Sequence, residues 1–364
     1  MRLLCCFLVA VPRLAAALCE CGYSARGSQD DNGPWLFTDM VESDFTKLED
    51  VSRLKNWVPQ QFNVSAKAGR GRYGKTFSPD NIASHPKTKL GEDQPAAADS
   101  VGVELRVGSM VANGAIPVAE VDSANMDLHY GSYRAGMKLT AVNGTCAAFF
   151  WYFNDTQEID MEFLSQDYNH EKRLYPVNLV VQSQNSIKAG YDASRTDSFK
   201  RVNLTFDPTD GFHEYRFDYL PGRVVFYADS NKLAEMEGHE MPSSAGHLIL
   251  QHWSNGDPKW SGGPPIQDAL LTVSYVKAYY NASSREKVSS WAQRCAEVQG
   301  AAVCSIPDVF ASNASTGGRF FTDEGARGSG KDDEENSGRA LRIVERTWVL
   351  SAVLSITAMV VMGT

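Results

Sequence analysis

The segment EIDMEFLS, which begins at position 158, alternates acidic and large apolar side chains. The acidic residues are Glu158, Asp160 and Glu162, and the apolar residues are Ile159, Met161 and Phe163. Successive side chains of a β-strand point to opposite faces. On a helix, Glu158 and Glu162 would be an unfavourable like-charge pair and the apolar side chains would scatter around the axis. The segment therefore predicts a strand with one buried face and one acidic face that lines a surface or cleft.

Further short alternating segments surround this one. SVGVELRVG alternates valine and leucine with small or polar residues, and GSYRAGMKLTAVNGTCAAFFWYF contains two candidate strands around an Asn143-Gly144 turn. Pro221-Gly222 and Asp229-Ser230-Asn231 indicate two more tight turns. SREKVSSWAQRCAEVQ is the one convincing amphipathic helix. The pattern predicts an all-β fold, a sandwich or jelly roll of two antiparallel sheets with a short terminal helix.

The two ends of the chain resemble targeting signals. A basic Arg2, an apolar run and the small residues Ala15-Ala16-Ala17 predict a secretory signal peptide over residues 1–18. At the other end, TWVLSAVLSITAMVVMGT follows a polar spacer and the small residues Asn336-Ser337-Gly338, which predicts a GPI-anchor signal with attachment at Asn336. Attachment at Gly328-Ser329-Gly330, or retention of the tail as a membrane helix, remains open.

The composition between these signals predicts one folded domain and one linker. Residues 19–295 have a uniform globular composition and show no internal repeat. Residues 296–338 are rich in glycine, serine and charge, which predicts a flexible stalk. Residues 339–364 would then be the spacer and the anchor signal.

Cysteines and glycosylation motifs agree with secretion. Sequons occur at Asn63, Asn143, Asn154, Asn203, Asn281 and Asn313. Without the signal peptide five cysteines remain, which predicts two disulfides and one free thiol. Cys295 and Cys304 are close enough in sequence to close a small loop, and pairing of Cys19 or Cys21 with Cys146 is a second possibility.

Charge and ligand spacing limit the classes of partner. The net charge is −9 and no basic cluster is dense, so nucleic acid is not expected as a partner. Cys19-Glu20-Cys21 lacks further ligands at metal-binding spacing. We therefore expect neither a metal site nor a cofactor, with a structural Ca²⁺ left as a possibility, and we expect a monomer.

The acidic face suggests catalysis by carboxyl groups. Alternate residues on one strand face are about 6.5–7 Å apart at Cα, so the carboxylates repel and at least one pKa should rise. Retaining glycoside hydrolysis uses two carboxyl groups about 5–5.5 Å apart, one as nucleophile and one as acid and base. The two outer glutamates could lean inward over Asp160 to reach that separation. An exposed acidic strand or a Ca²⁺ site is the alternative interpretation.

Glu158-Ile159-Asp160-Met161-Glu162 resembles the E-x-D-x-E signature of glycoside hydrolase family 16, in its regular form without the extra residue of the bulged form. The segments FTDMVESDF, YRFDYLPGRVVFYADSNKLAE and HLILQHWSNGDPKW resemble other parts of the family in the same order, so the resemblance covers roughly residues 22–282. It implies a concanavalin A-like jelly roll with a cleft across one sheet. It also implies that Glu158 is the nucleophile, Glu162 the general acid and base, and Asp160 the assisting carboxylate.

Aromatic residues near the acids are candidates for sugar binding. Trp253 and Trp260 are candidate stacking platforms, because a flat apolar ring complements the face of a pyranose. Gln251 would share the face of Trp253, whereas His252 would point into the core. Trp151 could belong to either the core or the cleft.

These observations predict a secreted, surface-anchored, retaining glycoside hydrolase that acts on a β-linked glucan. A cell-wall transglycosylase would use the same three carboxyl groups and transfer the sugar to another sugar. A carbohydrate-binding relative without activity would be expected to lack one of the acids, and all three are present. The sequence decides neither the linkage nor between water and sugar as acceptor.

Overall fold

The structure is a computed structural model. It describes residues 19–26, 34–86, 101–190, 193–296 and 302–323. The predicted signal peptide, the predicted anchor site at Asn336 and the tail at residues 339–364 lie outside the described residues.

Two large sheets pack face to face, as the alternating segments predict. The first, the acid-bearing sheet, has nine strands. They pair antiparallel, except that the strand Gly74–Phe77 lies parallel to the strand Ala115–Ser123. Numbered in chain order and given in sheet order, they are β14 (Phe199–Asn203), β13 (Pro176–Gln182), β12 (Gln157–Leu164), β11 (Cys146–Asn154), β18 (His247–Trp253), β9 (Ala115–Ser123), β6 (Gly74–Phe77) and β5 (Phe62–Val64), with β4 (Trp57–Pro59) beside β9.

The second, the opposing sheet, has eight strands. They are β17 (Asn231–Glu237), β16 (Arg223–Ala228), β15 (His213–Leu220), β10 (Gly131–Lys138), β19 (Ala269–Tyr280), β8 (Gly102–Val107) and β7 (Ile82–His85), with β3 (Asp39–Asp44) beside β19. A small third sheet contains β2 (Trp35–Phe37), β1 (Tyr23–Ala25) and β20 (Cys304–Ser305).

Helices are short and few in the described part of the chain. The α-helices are α1 (Gln184–Lys188) and α2 (Arg285–Arg294), and the 3-10 turns include Phe45–Lys47, Val51–Arg53, Pro79–Asn81, Ser165–Asp167, Ala193–Arg195 and Ala311–Asn313. The predicted terminal helix is confirmed as α2. None of the helices within the described ranges is long and apolar enough to cross a membrane.

The core between the two large sheets fixes the orientation of β12. Ile159, Met161 and Phe163 are at most 1% exposed, and the ring of Phe163 lies 4.7 Å from that of Tyr215 on the opposing sheet. Burial of each such side chain stabilises the fold by about 1.5–3 kcal/mol. A shift of one residue would place the acids in this core instead, so the apolar half of the segment sets the register. The predicted division of EIDMEFLS into two faces is confirmed.

The predicted turns are present, but one of them does not form a hairpin. Pro221-Gly222 joins β15 to β16, and Gly222 has the positive φ of 74° that a tight turn requires. Asp229-Ser230 joins β16 to β17 in left-handed conformations. The turn at Asn143-Gly144 connects β10 to β11, which belong to different sheets. The chain therefore crosses from one sheet to the other at that point.

Both disulfides join the start of the domain to its end. Cys19 pairs with Cys304, and Cys21 pairs with Cys295. Among the cysteines in the described ranges, the buried Cys146 is the free thiol. Two bridges and one free thiol confirm the predicted number, but both suggested pairings were wrong. Each bridge spans a long stretch of sequence because β1, near the start of the domain, lies parallel to β20, near its end.

The segment at residues 302–323, here called the C-terminal strap, packs against the domain. Ile306, Val309 and Phe320 are at most 5% exposed. From β19, Lys277 Nζ donates to the carbonyls of Gly317 and Arg319, each at 2.6 Å. The predicted domain boundary at Cys295 is therefore too early, because sparse apolar residues in a polar segment are enough to hold it on the sheet.

The six sequon asparagines all lie in described segments. The side chains of Asn63, Asn143 and Asn203 are exposed, whereas Asn154, Asn281 and Asn313 are half-buried. Asn281 Oδ1 accepts a hydrogen bond from the backbone N–H of Thr38 at 3.1 Å. Asn203 is also bonded, because its Nδ2 donates to the carbonyl of Leu204 at 3.1 Å.

We predict that peptide mapping without reduction will recover the Cys19–Cys304 and Cys21–Cys295 pairs and leave Cys146 as the free thiol. The double replacement Cys21→Ser with Cys295→Ser should lower the thermal midpoint by several degrees, because it releases a long loop in the unfolded chain. Cys146→Ser, which breaks no bridge, is the matched control. A Cys295–Cys304 peptide would contradict the structure.

Candidate active site

The three acids of β12 lie side by side on the face that points away from the core. Glu158 and Asp160 are each 4% exposed and Glu162 is 7% exposed. Their cross-strand neighbours on β11 are Tyr152, Phe150 and Ala148, and those on β13 are Gln182, Val180 and Asn178. The carboxyl groups are therefore bounded by aromatic and amide side chains, and water has little access to them.

Glu158 and Asp160 form a coupled pair. Burial raises the pKa of Glu158 to about 7, and a hydrogen bond from Asp160 counteracts that rise. The pKa of Asp160 is raised well above its usual range by burial, then by the charge of Glu158 and by the same hydrogen bond. Two carboxyl groups this close share a proton. Asp160 keeps it and donates to Glu158, which carries the negative charge.

Glu162 lies in a different environment at the other end of the row. Burial raises its pKa to about 8, and the charge of Glu158 raises it further. The thiol of Cys146 lies 3.8 Å from Glu162 Oε1, and the indole of Trp260 lies beside the carboxyl. Both donors favour the ionised form, but burial dominates. Burial therefore raises the pKa of both outer glutamates toward neutrality, and the hydrogen bond from Asp160 favours the ionised form of Glu158.

The predicted sugar-binding residues have mixed outcomes. Trp151 faces the opposite way: it is fully buried, its Nε1 donates to the carbonyl of Leu128 at 2.8 Å, and its ring lies 4.8 Å from that of Tyr219. Trp151 is a core residue, because it lies opposite Ile159 of β12 and its side chain points to the same buried face. Of the two locations left open for Trp151, the structure shows the core.

Trp253 lies on the acidic face, opposite Cys146, but offers no stacking surface. It is 1% exposed, and Lys75 Nζ lies 4.4 Å from its ring centroid. Trp260 is 2% exposed and contacts Glu162 instead of projecting into a cleft. The predicted alternation of His252 and Trp253 along β18 is confirmed. His252 is buried on the face opposite to Trp253, and its Nδ1 is hydrogen-bonded to the Leu105 carbonyl.

Gln251 shares the acidic face as predicted, where its amide donates to Glu120. Glu120 and Asp122 are a second acidic pair, on β9, which the sequence analysis missed. Burial raises the pKa of Glu120 to about 7 and that of Asp122 well above its usual range. The signal was available, because AEVDS alternates acidic and apolar residues as EIDMEFLS does.

A cavity of about 550 Å³ lies near the end of β12, and the three carboxyl groups are not among its lining residues. Its walls come from the loop at residues 256–263, from Arg70 to Arg72, and from Gln166. The side-chain amide of Gln166 donates to the carbonyls of Pro258 and Trp260, which fixes this loop against the end of β12. In the described ranges, no group of three or more His, Cys, Asp or Glu side chains could hold a metal ion.

Comparisons with known proteins show a similarity of this domain to one family. The family model "Glycosyl hydrolases family 16" matches residues 100–277. The chain is 28% identical to a beta-glucanase of Bacillus licheniformis over 158 residues (41% of this chain, 58% of the relative) and 32% identical to a beta-glucanase of Paenibacillus macerans over 150 residues (40% and 56%). It is 26% identical to Congo red hypersensitive protein 1 of Saccharomyces cerevisiae over 165 residues (42% and 30%).

These alignments span a little over half the length of the two bacterial relatives. Among solved structures, the Bacillus licheniformis beta-glucanase aligns with a TM-score of 0.49 at 18% identity, and covers 66% of this chain and 97% of its own. Residues 100–277 contain β8 to β18, including the whole of β12, and this segment resembles glycosyl hydrolase family 16.

Proposed function

We propose that this domain is a retaining glycoside hydrolase that acts on a β-glucan polysaccharide. The observation that carries the proposal is the row of three buried carboxyl groups on one face of β12, in which the hydrogen bond from Asp160 favours the ionised form of Glu158 and burial favours the protonated form of Glu162. Double displacement needs this combination of a nucleophile and an acid. The family match and the beta-glucanases among the relatives support the substrate class.

In the first step Glu158 attacks the anomeric carbon, and the bond from that carbon to the leaving oxygen breaks. Glu162 gives its proton to the leaving oxygen, so a glycosyl ester forms on Glu158 while Glu162 becomes a carboxylate. In the second step Glu162 takes a proton from the acceptor, whose oxygen attacks the anomeric carbon and displaces Glu158. Asp160 keeps its proton throughout and holds Glu158 in place by its hydrogen bond.

Transfer to a sugar acceptor is the second candidate function. The loop at residues 256–263 that lines the cavity also carries Trp260, which lies beside Glu162, so a sugar acceptor held in the cavity would lie near the proposed base. One relative, 28% identical over 147 residues, is described as a probable xyloglucan endotransglucosylase/hydrolase of Arabidopsis thaliana. Labelled acceptor oligosaccharides added with each glucan would separate transfer from hydrolysis.

We further propose that the protein is secreted and attached to the cell surface by a GPI lipid at Asn336. Two disulfides support an oxidising compartment, since such bridges are rare in the cytosol. The exposed sequons at Asn63, Asn143 and Asn203 support passage through the secretory pathway. Release of the protein from cells by a phosphatidylinositol-specific phospholipase would test the anchor.

Replacement of the two glutamates should separate their roles. Glu158→Gln should lower the rate of reducing-sugar release at least about a thousandfold, because the covalent step is lost. Glu162→Gln should lower it by about 10²–10⁴-fold on polysaccharide. On a substrate with an activated leaving group, the rate of the first step in Glu162→Gln should return toward that of the wild-type protein, because that leaving group needs no proton.

The matched control is Glu171→Gln, which removes the same charge from an exposed loop that follows β12. Its activity should equal that of the wild-type protein. Thermal unfolding should confirm that each variant is folded. Wild-type activity in folded Glu158→Gln would rule out the assignment of the nucleophile.

The pH dependence follows from the same two groups. Activity requires an ionised Glu158, with a pKa of about 7, and a protonated Glu162, with a pKa of about 8. The value of kcat/KM should therefore rise as pH increases through about 7 and fall as pH increases beyond about 8. With an activated leaving group, Glu162→Gln should lose the alkaline decline and keep the acidic one. If the alkaline decline persists in Glu162→Gln, a group other than Glu162 causes the decline.

A further inference from the structure

Cys146 is a buried thiol in contact with Glu162. Its side chain is 0% exposed, and Sγ lies 3.8 Å from Glu162 Oε1 and 3.8 Å from the carbonyl oxygen of Ala147. A thiol is a weak donor, and it can donate only while it keeps its proton. Burial raises the pKa of Cys146 well above its usual range, and the charge of Glu162 raises it further. The thiol is therefore protonated at neutral pH and can donate to the carboxyl group.

Trp260 supplies a second donor beside the same carboxyl group. Its side chain is 2% exposed, and its Nε1 makes no hydrogen bond within the described part of the chain. A buried N–H group without an acceptor is unfavourable. Trp260 nevertheless lies close enough to Glu162 to favour the ionised form of that carboxyl group. Because a carboxylate accepts a hydrogen bond more strongly than a neutral carboxyl group, ionisation of Glu162 supplies the acceptor that the indole lacks.

Both donors are held in place by the surrounding backbone. The backbone N–H of Trp260 donates to the carbonyl of Asp257 at 3.1 Å, and the side-chain amide of Gln166 donates to the carbonyl of Trp260. Cys146 lies on β11, which pairs along its length with the strand that carries Glu162. The thiol and the indole are therefore fixed relative to the carboxyl group before it ionises.

The charged groups that face Glu162 lie on its own strand and on β6. Burial raises the pKa of Glu162 most, and the charge of Glu158 raises it further. Asp160 lies between these two residues on the same face, and Lys75 on β6 has an opposing effect. The cross-strand neighbours of Glu162 on β11 and β13 are uncharged. The groups that favour the ionised form by hydrogen bonding are therefore the two neutral donors.

We infer that Cys146 and Trp260 are positioning residues that stabilise the carboxylate of Glu162 by hydrogen bonds after this group has given up its proton. The inference rests on the proposed function, in which Glu162 donates its proton in the first step and remains a carboxylate until it takes a proton from the acceptor. Fixed donors that point to a developing charge stabilise it without reorganisation. Both residues act through Glu162 and not on the sugar.

Neutral donors suit a group that must both release and take up a proton. A cation in direct contact would hold Glu162 ionised and remove the acid that the first step requires. A thiol and an indole N–H oppose the effect of burial less strongly, and the pKa of Glu162 remains at about 8. The same two donors therefore permit an acid near neutral pH and stabilise the carboxylate that follows proton transfer.

The pH profile should change when either donor is removed. Cys146→Ala removes the thiol, and replacement of Trp260 by benzothienylalanine keeps the ring shape but exchanges the N–H for sulfur. The alkaline decline of kcat/KM should move to higher pH by about half a unit and about one unit respectively, because each donor favours the ionised carboxyl group. Cys146→Ser, which keeps a donor, should retain a profile close to that of the wild-type protein.

A substrate with an activated leaving group separates the two steps. Its first step needs no proton, so kcat/KM should change little in either variant. Where the second step limits turnover, kcat below pH 7 should fall about threefold to tenfold, because a pKa raised by half a unit to one unit leaves that much less of Glu162 ionised as the base. A general structural defect would lower kcat/KM as well.

The matched control replaces Trp291 by benzothienylalanine, because this indole donates to the carbonyl of Cys21 at 3.2 Å and lies on α2. Its profile should equal that of the wild-type protein. In a Glu162→Gln background, removal of either donor should have no further effect on the profile. An unshifted profile in the folded Trp260 variant would overturn the inference, and this variant decides the matter if Cys146→Ala does not fold.

A titration that needs no activity distinguishes this inference from the proposed function. Carboxyl carbon NMR of the full chain labelled in glutamate would give the pKa of Glu162, with the resonance assigned by Glu162→Gln. This pKa should rise in the Cys146→Ala and Trp260 variants and stay unchanged in the Trp291 variant. An unmoved pKa would overturn the inference whatever the activity. A raised pKa in a protein inactive on all β-glucans would support the two donors and contradict the proposed function.

Discussion

The packing of one face of β12 against the opposing sheet is the constraint on which the site depends. Ile159, Met161 and Phe163 are almost completely buried in the core between the two sheets. Their burial fixes the register of the strand, and strand geometry then places every intervening side chain on the other face. The three carboxyl groups need no individual interaction to be aligned. Catalytic geometry follows here from the position of apolar side chains that take no part in the chemistry.

The second constraint is electrostatic. Burial raises the pKa of all three acids, so the row cannot hold three negative charges at neutral pH. The hydrogen bond between Asp160 and Glu158 favours ionisation of Glu158 within that pair, whereas burial and the charge of Glu158 favour the protonated form of Glu162. In the proposed mechanism, one strand thus presents a nucleophile and an acid that differ only in environment.

Features that depend on local pattern were predictable from the sequence. The strand at Glu158–Glu162, the direction of His252 and the turn at Pro221-Gly222 all follow from alternation and turn chemistry. Features that depend on contacts between distant segments were not. Cys304 meets Cys19 because β1 and β20 are neighbours, and Lys75 covers Trp253 because β6 lies parallel to β9. Trp151 could have been assigned to the core, because it lies on the same face of β11 as the other core residues of that strand. The burial of the Trp253 ring depends on the side chains packed around it, which the local sequence pattern does not show.

The central claim is that Glu158 becomes covalently attached to the sugar, and trapping of that intermediate tests it most directly. The wild-type protein would be incubated with a 2-deoxy-2-fluoro β-glucosyl oligosaccharide that carries an activated leaving group, then digested and analysed by mass spectrometry. The account predicts one added glycosyl group on the peptide that contains Glu158, and none in Glu158→Gln. A glycosyl group on another residue, or a product with inverted anomeric configuration and no trapped intermediate, would contradict it.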